Sequence, residues 1–238
     1  MNLESRFLNE ILNLFSKDRI ICILFYGTNA FNRSESKFSD YDFYVMFDKF
    51  LKEDDILIKQ LINLFPNLNI DITYQYLEDL EKIGWQNYQL GNHGLFYMLN
   101  FAQAILLYGY NIFQRKLILI DNDKLRESIL FQIQEYFWRL DNWFLKEDEN
   151  ELLYSRYKKY VIRILVDILL FNGDISFQEI NVKLYKEIIQ LVNIKPYISD
   201  ETKQKLKEIY IINNKPNIYE FRELKRLIYE DYLIILQQ

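Results

Sequence analysis

The sequence predicts an α+β chain in which a small module built on a mixed β-sheet, residues 1–90, is followed by an all-α helical bundle, residues 91–238. Three observations carry that expectation. Short β-rich apolar runs stopped by glycine or polar residues mark the chain before residue 90 and nearly vanish after it, long runs with apolar residues at three- and four-residue spacing dominate the rest, and 238 residues suffice for two small domains.

Leu3, Phe7, Ile11, Leu12 and Phe15 recur at helical spacing and predict a first helix ending near Lys17. The run from Ile20 to Tyr26 is short and wholly apolar, and it is stopped by Gly27, so it reads as a buried strand. A polar stretch from Thr28 to Ser39 leads to a second strand, Tyr41 to Phe47. Glu53 to Phe65 reads as a helix closed by Pro66, and Leu68 to Gln75 as a third strand. Beyond residue 90, Leu95 to Tyr108, Asp123 to Lys146, Glu151 to Phe171, Glu179 to Val192, Asp200 to Ile212 and Tyr219 to Leu236 read as helices, punctuated by Gly109, Gly173, Pro196 and Pro216.

Composition narrows the chemistry. The single cysteine, Cys22, and the single histidine, His93, exclude an intrachain disulfide, a multi-thiolate zinc site and a histidine cage. A metal in this protein would be held by carboxylates, and oxygen ligation favours Mg²⁺, with Mn²⁺ as its substitute. A net charge of −5 argues against a broad phosphate-tracking surface and favours a small or cationic acceptor over nucleic acid. The apolar stretch Leu95 to Leu107 is broken by Asn100 and Gln103 before the ~20 residues needed to cross a bilayer. The N-terminal residues lack a secretory pattern, so no membrane partner and a cytoplasmic location are expected.

The segment from Phe25 to Phe47 holds the informative chemistry. A strand delivers the chain to Gly27 and Thr28, where the missing side chain admits an anion to backbone N–H groups and a hydroxyl adds a hydrogen bond. In the next strand Asp40 and Asp42 are two residues apart, so the pleat sends both carboxylates to one face. Carboxylates that close repel one another, and a divalent cation bridging to polyphosphate oxygens reverses the balance. Asp71 lies on the polar face of the third strand and completes a carboxylate triad if that strand neighbours the second. Three such acids suit two-metal phosphoryl or nucleotidyl transfer.

Gly27-Thr28 and Ser39-Asp40-Tyr41-Asp42 resemble the motif of the DNA polymerase β-like nucleotidyltransferase superfamily, a Gly-Ser or Gly-Thr after one strand and Ser-Asp-x-Asp opening the next. The match spans roughly residues 20 to 75, and Asp71 matches the third acid. The order of an α/β module and then helices is similar to bacterial antibiotic (aminoglycoside-type) nucleotidyltransferases. So is the stretch Ala102 to Ile112, with its Leu-Tyr-Gly at 107–109. The resemblance implies metal ligation by Asp40, Asp42 and Asp71, with Gly27, Thr28 and Ser39 cradling the nucleotide phosphates. The arginine often found soon after the glycine is delayed here to Arg33, a further nucleotide contact on this reading. The catalytic glutamate common among the antibiotic-modifying relatives has no placed equivalent.

Duller readings stand beside these. Ser155, Lys159, Arg163 and Asp167 form a polar stripe that is expected to be a solvated face. The resemblance would instead put Lys159 on the triphosphate and Asp167 near a cationic acceptor. His93 caps a helix or orients an acceptor, Cys22 is core, and Trp85, Tyr88 and Tyr97 line a pocket or pack between domains. The leading expectation is a Mg²⁺-dependent nucleotidyltransferase acting on an NTP and a hydroxyl-bearing small molecule. The alternatives are a toxin-like enzyme that modifies tRNA or protein, and a non-catalytic nucleotide-binding module.

Overall fold

A computed structural model describes residues 2–31, 40–83, 100–116, 122–146, 151–176, 179, 185–212 and 217–237. The fold is α+β, with a four-stranded mixed sheet and helices before and after it. The strands are β1 (Ile20–Tyr26), β2 (Tyr41–Phe47), β3 (Ile70–Tyr76) and β4 (Ile105–Gly109), in the order β3-β2-β1-β4. β1 is antiparallel to both β2 and β4, whereas β2 and β3 run parallel. A parallel pair needs a crossover, and α3 (Asp54–Asn63) lies within it.

The fourth strand corrects one expectation. The spacing of Leu95 to Tyr108 predicts a helix, but Ile105–Gly109 is a strand paired with β1, and among the described residues of that stretch only 100–102 are helical. The apolar run Ala104 to Tyr108 is too short for its pattern to separate a buried helix from a strand, so sheet pairing decides. Gly109 ends it at φ 73°, where a Cβ would lie 2.0 Å from the Ile21 carbonyl oxygen; only glycine permits that approach.

The sheet is apolar on both faces. Ile23, Phe25, Phe43, Val45 and Phe47 face α1 (Leu3–Leu14) and α3, meeting Phe7, Ile11, Ile58, Leu61 and Phe65. Phe7 stacks on Phe43 with ring centroids 3.7 Å apart. On the opposite face Cys22, Leu24, Tyr26, Tyr44 and Met46 meet Phe101, Leu80 of α4 (Leu77–Ile83) and Phe113 of α5 (Ile112–Lys116). Cys22 is core, as expected, and burial pushes its thiol pKa up to about 12. At the β1 entry Arg19 makes a forked pair with the buried Asp54, at 2.8 and 3.0 Å. Desolvation opposes ionisation of Asp54, but the Arg19 and Leu51 hydrogen bonds and the guanidinium charge outweigh it and hold the carboxyl below its usual range.

By its contacts the chain divides into Met1–Ser128 and Ile129–Gln238. The expected boundary near residue 90 lies outside the described residues, yet β4, beyond it, belongs to the sheet of the first unit. The second unit's described elements are all helical: most of α6 (Asn122–Lys146), then α7 (Glu151–Phe171), α8 (Tyr185–Asn193), α9 (Asp200–Lys207), a π-helical turn at Glu208–Ile212, and α10 (Ile218–Ile235). Asn217 and Glu220 form a reciprocal capping box at the start of α10. Among the described residues no helix is long and apolar enough to cross a membrane.

The stripe on α7 is not a solvated face. Asp167 is only 1% exposed, and Ser155, Lys159 and Arg163 are half-buried. Arg163 lies over the Tyr136 and Tyr160 rings at 5.8 and 5.2 Å, and Arg139 reaches the Tyr160 hydroxyl.

Candidate metal centre

The site forms where β1 ends and β2 and β3 begin, side by side. Tyr26, the last residue of β1, is the Cα partner of Asp42, which is in turn the partner of Asp71 on β3. Tyr44 pairs with Thr73 two residues further along, so Asp42 and Tyr44 share a sheet face with Asp71 and Thr73. Asp40 stands two residues before Asp42, just ahead of the first β2 residue. One carboxylate oxygen from each of Asp40, Asp42 and Asp71 can be chosen so that all three lie within 4.8 Å of one another. Asp40 and Asp42 are half-buried and Asp71 is exposed, so the cluster is rooted in the sheet and open to solvent.

Gly27 makes this packing feasible. It leaves β1 at φ 80° and starts α2, a four-residue helical turn (Gly27–Ala30). A Cβ at this position would lie 2.0 Å from Asp42 Oδ2, so any side chain would evict the carboxylate. Beneath the acids the Tyr26 hydroxyl meets Thr73 Oγ1 at 3.3 Å, and the Tyr44 hydroxyl donates to Gln75 Oε1 at 2.9 Å. These bonds tie the buried tyrosines to the polar side of β3 and satisfy their hydroxyls.

Charges at ~4 Å repel by about 1 kcal/mol in water and about 4 kcal/mol near a protein surface. The cluster therefore favours a cation between its members. Its donors are all hard carboxylate oxygens, which suits Mg²⁺ or Mn²⁺.

The residues singled out in the sequence divide as follows. Gly27, Asp40, Asp42 and Asp71 come together, and Thr28 follows directly in α2. Arg33 and Ser39 lie outside the described residues, as do Trp85, Tyr88, His93 and Tyr97. Lys159 is a half-buried residue of α7 in the second unit. Asn29 belongs to none of the motifs, yet its side-chain Nδ2 donates to the Asp40 carbonyl oxygen at 2.6 Å. The only sequence signal for it is that an asparagine just after a strand tends to bond nearby backbone. A scan of the chain against protein-family models finds no match, and a search of curated proteins finds none.

Proposed function

We propose that this chain is a Mg²⁺-dependent nucleotidyltransferase, of the DNA polymerase β-like kind it resembles, that transfers a nucleoside monophosphate from an NTP to a hydroxyl of a small molecule. The observation that carries the reading is the convergence of Asp40, Asp42 and Asp71 beside the Gly27 turn.

Asp40 and Asp42 would hold the metal, with Asp71 completing the set. A bound divalent metal supplies charge neutralisation for the triphosphate and the leaving group. The acceptor oxygen attacks the α-phosphorus, the bond from that phosphorus to the bridging oxygen breaks, and pyrophosphate departs with the bond's electron pair. The hydroxyl proton passes to a carboxylate, a role that Asp71, the exposed member of the triad, would take if it is not a metal ligand. Gly27, Thr28 and Ser39 would cradle the β- and γ-phosphates, with Arg33 as a further nucleotide contact. The net charge of −5 favours a small or cationic acceptor, and an aminoglycoside-type antibiotic is the most specific candidate.

The test is a mass-spectrometric screen of the four NTPs with Mg²⁺ and pooled hydroxyl-bearing acceptors. Expected is an acceptor heavier by one nucleoside monophosphate, accompanied by equimolar pyrophosphate, and lost in Asp40→Ala. Transfer retained in both Asp40→Ala and Asp42→Ala overturns the reading.

A further inference from the structure

The three aspartates are not held alike. Asp42 and Asp71 sit inside paired strands, and the ladder fixes their backbones. Asp40 precedes β2, and the β1–β2 register ends two residues short of it, at Tyr26–Asp42, because β1 turns away at Gly27. Continued in register, β1 would bring main chain opposite Asp40. Instead, the side-chain amide of Asn29 bonds the Asp40 carbonyl at 2.6 Å. The other side of the same peptide unit is also held, since the Tyr41 N–H donates to the Asn69 carbonyl at 2.8 Å. A trans peptide points its C=O and N–H in opposite directions, so bonds at both ends fix its plane. With that plane fixed, the direction of the neighbouring Cα–Cβ bond of Asp40 is restricted.

We propose that Asn29 is a positioning residue of the metal centre: its amide replaces the strand partner that the Gly27 turn removes, and so keeps the Asp40 carboxylate within the triad. Gly27 and Asn29 then act as two halves of one device. The turn makes room for Asp42, and the amide two residues later restores the hydrogen bond that the turn cost Asp40. The inference rests on the triad binding a divalent metal.

The experiment measures Mn²⁺ affinity of the full chain by electron paramagnetic resonance, with a melting curve for every variant. Wild type, Asn29→Ala, Asp40→Asn and the double variant form a cycle. Partners that orient a metal ligand typically contribute roughly ten- to a hundredfold in affinity, so Asn29→Ala should weaken Mn²⁺ binding by about tenfold or more. In the Asp40→Asn background the same change should do nothing further, because the ligand it positions is gone. If Asn29→Ala does not fold, Asn29→Ser, whose hydroxyl is too short to reach the carbonyl, takes its place with the same expectation. Unchanged affinity in the Asn29 variant, or an equal loss in both backgrounds, overturns the inference while leaving the metal reading standing. Failure of the wild-type chain to bind Mn²⁺ overturns the metal reading and this inference with it.

Discussion

Gly27 and Asp42 are packed so closely that a Cβ on the glycine would fall 2.0 Å from Asp42 Oδ2. A turn and a carboxylate on adjacent strands thus compete for one space, and the absence of a side chain at 27 decides in favour of the acid. The backbone at 27 has a positive φ as well, so a substitution there is strained twice.

Gly27→Ala and Gly173→Ala separate those two effects. Gly173 has φ 72°, and a Cβ there would meet nothing within 4 Å, so its alanine variant should lose only the left-handed strain, about 1 kcal/mol. Gly27→Ala should lose at least as much in urea unfolding, and it should also lose Mn²⁺ affinity by roughly tenfold or more as Asp42 is displaced. Equal Mn²⁺ binding by Gly27→Ala and wild type would contradict the steric argument.

Asp167 gives a pH dependence of unusual sign for an aspartate. Burial pushes its carboxyl well above the ordinary value, against the opposing charge of Arg163, and its Oδ2 has no hydrogen-bond partner. The folded state therefore holds a proton that the unfolded state, with a pKa of about 3.9, releases. Stability from this group is greatest below pH ~4 and falls as pH rises toward the folded value. Asp167→Asn should raise the melting temperature at pH 7 and leave it little changed at pH 4. A variant less stable than wild type at pH 7 would refute this.

Asp231 of α10 anchors the start of α9. It is 3% exposed and accepts from the Ser199 N–H and Oγ at 3.2 Å and from Thr202 Oγ1 at 2.6 Å. Asp231→Ala leaves the buried Thr202 hydroxyl without that acceptor and should cost about 2–3 kcal/mol in urea unfolding. Asp200→Ala, which removes a fully exposed partner of Lys203, should leave the midpoint unchanged. Equal effects of the two changes would show that burial is not what gives Asp231 its weight.

Legibility in the sequence follows the strength of the local signal. β1 and β2 span the residues expected, since each is a short β-rich run with a clear stop or a polar approach, and α7 likewise spans Glu151–Phe171 as expected. β4 reads as helix in the sequence because the apolar run Ala104 to Tyr108 is too short to show a strand period, and only pairing with β1 makes it a strand. Alternation on β3 marks Asp71 as polar-facing, but its place beside Asp42 depends on β2 and β3 being neighbours and parallel, which one strand's pattern does not encode. The α7 stripe has the spacing of a solvated face, and what overrides it is tertiary: Asp167 is buried and Arg163 lies over the Tyr136 ring of α6. Asn29 carries only a generic signal in the sequence, because its role depends on where β1 leaves the sheet.

The central claim is that Asp40, Asp42 and Asp71 form a site for a divalent metal with a nucleoside triphosphate. Isothermal titration of each NTP into the full chain, with and without Mg²⁺, tests it most directly. The account predicts binding of at least one NTP that requires Mg²⁺, is lost in Asp42→Asn and is lost or sharply weakened in Asp71→Asn, with circular dichroism unchanged. Binding that is equally tight without Mg²⁺, or undiminished in both variants, would contradict it.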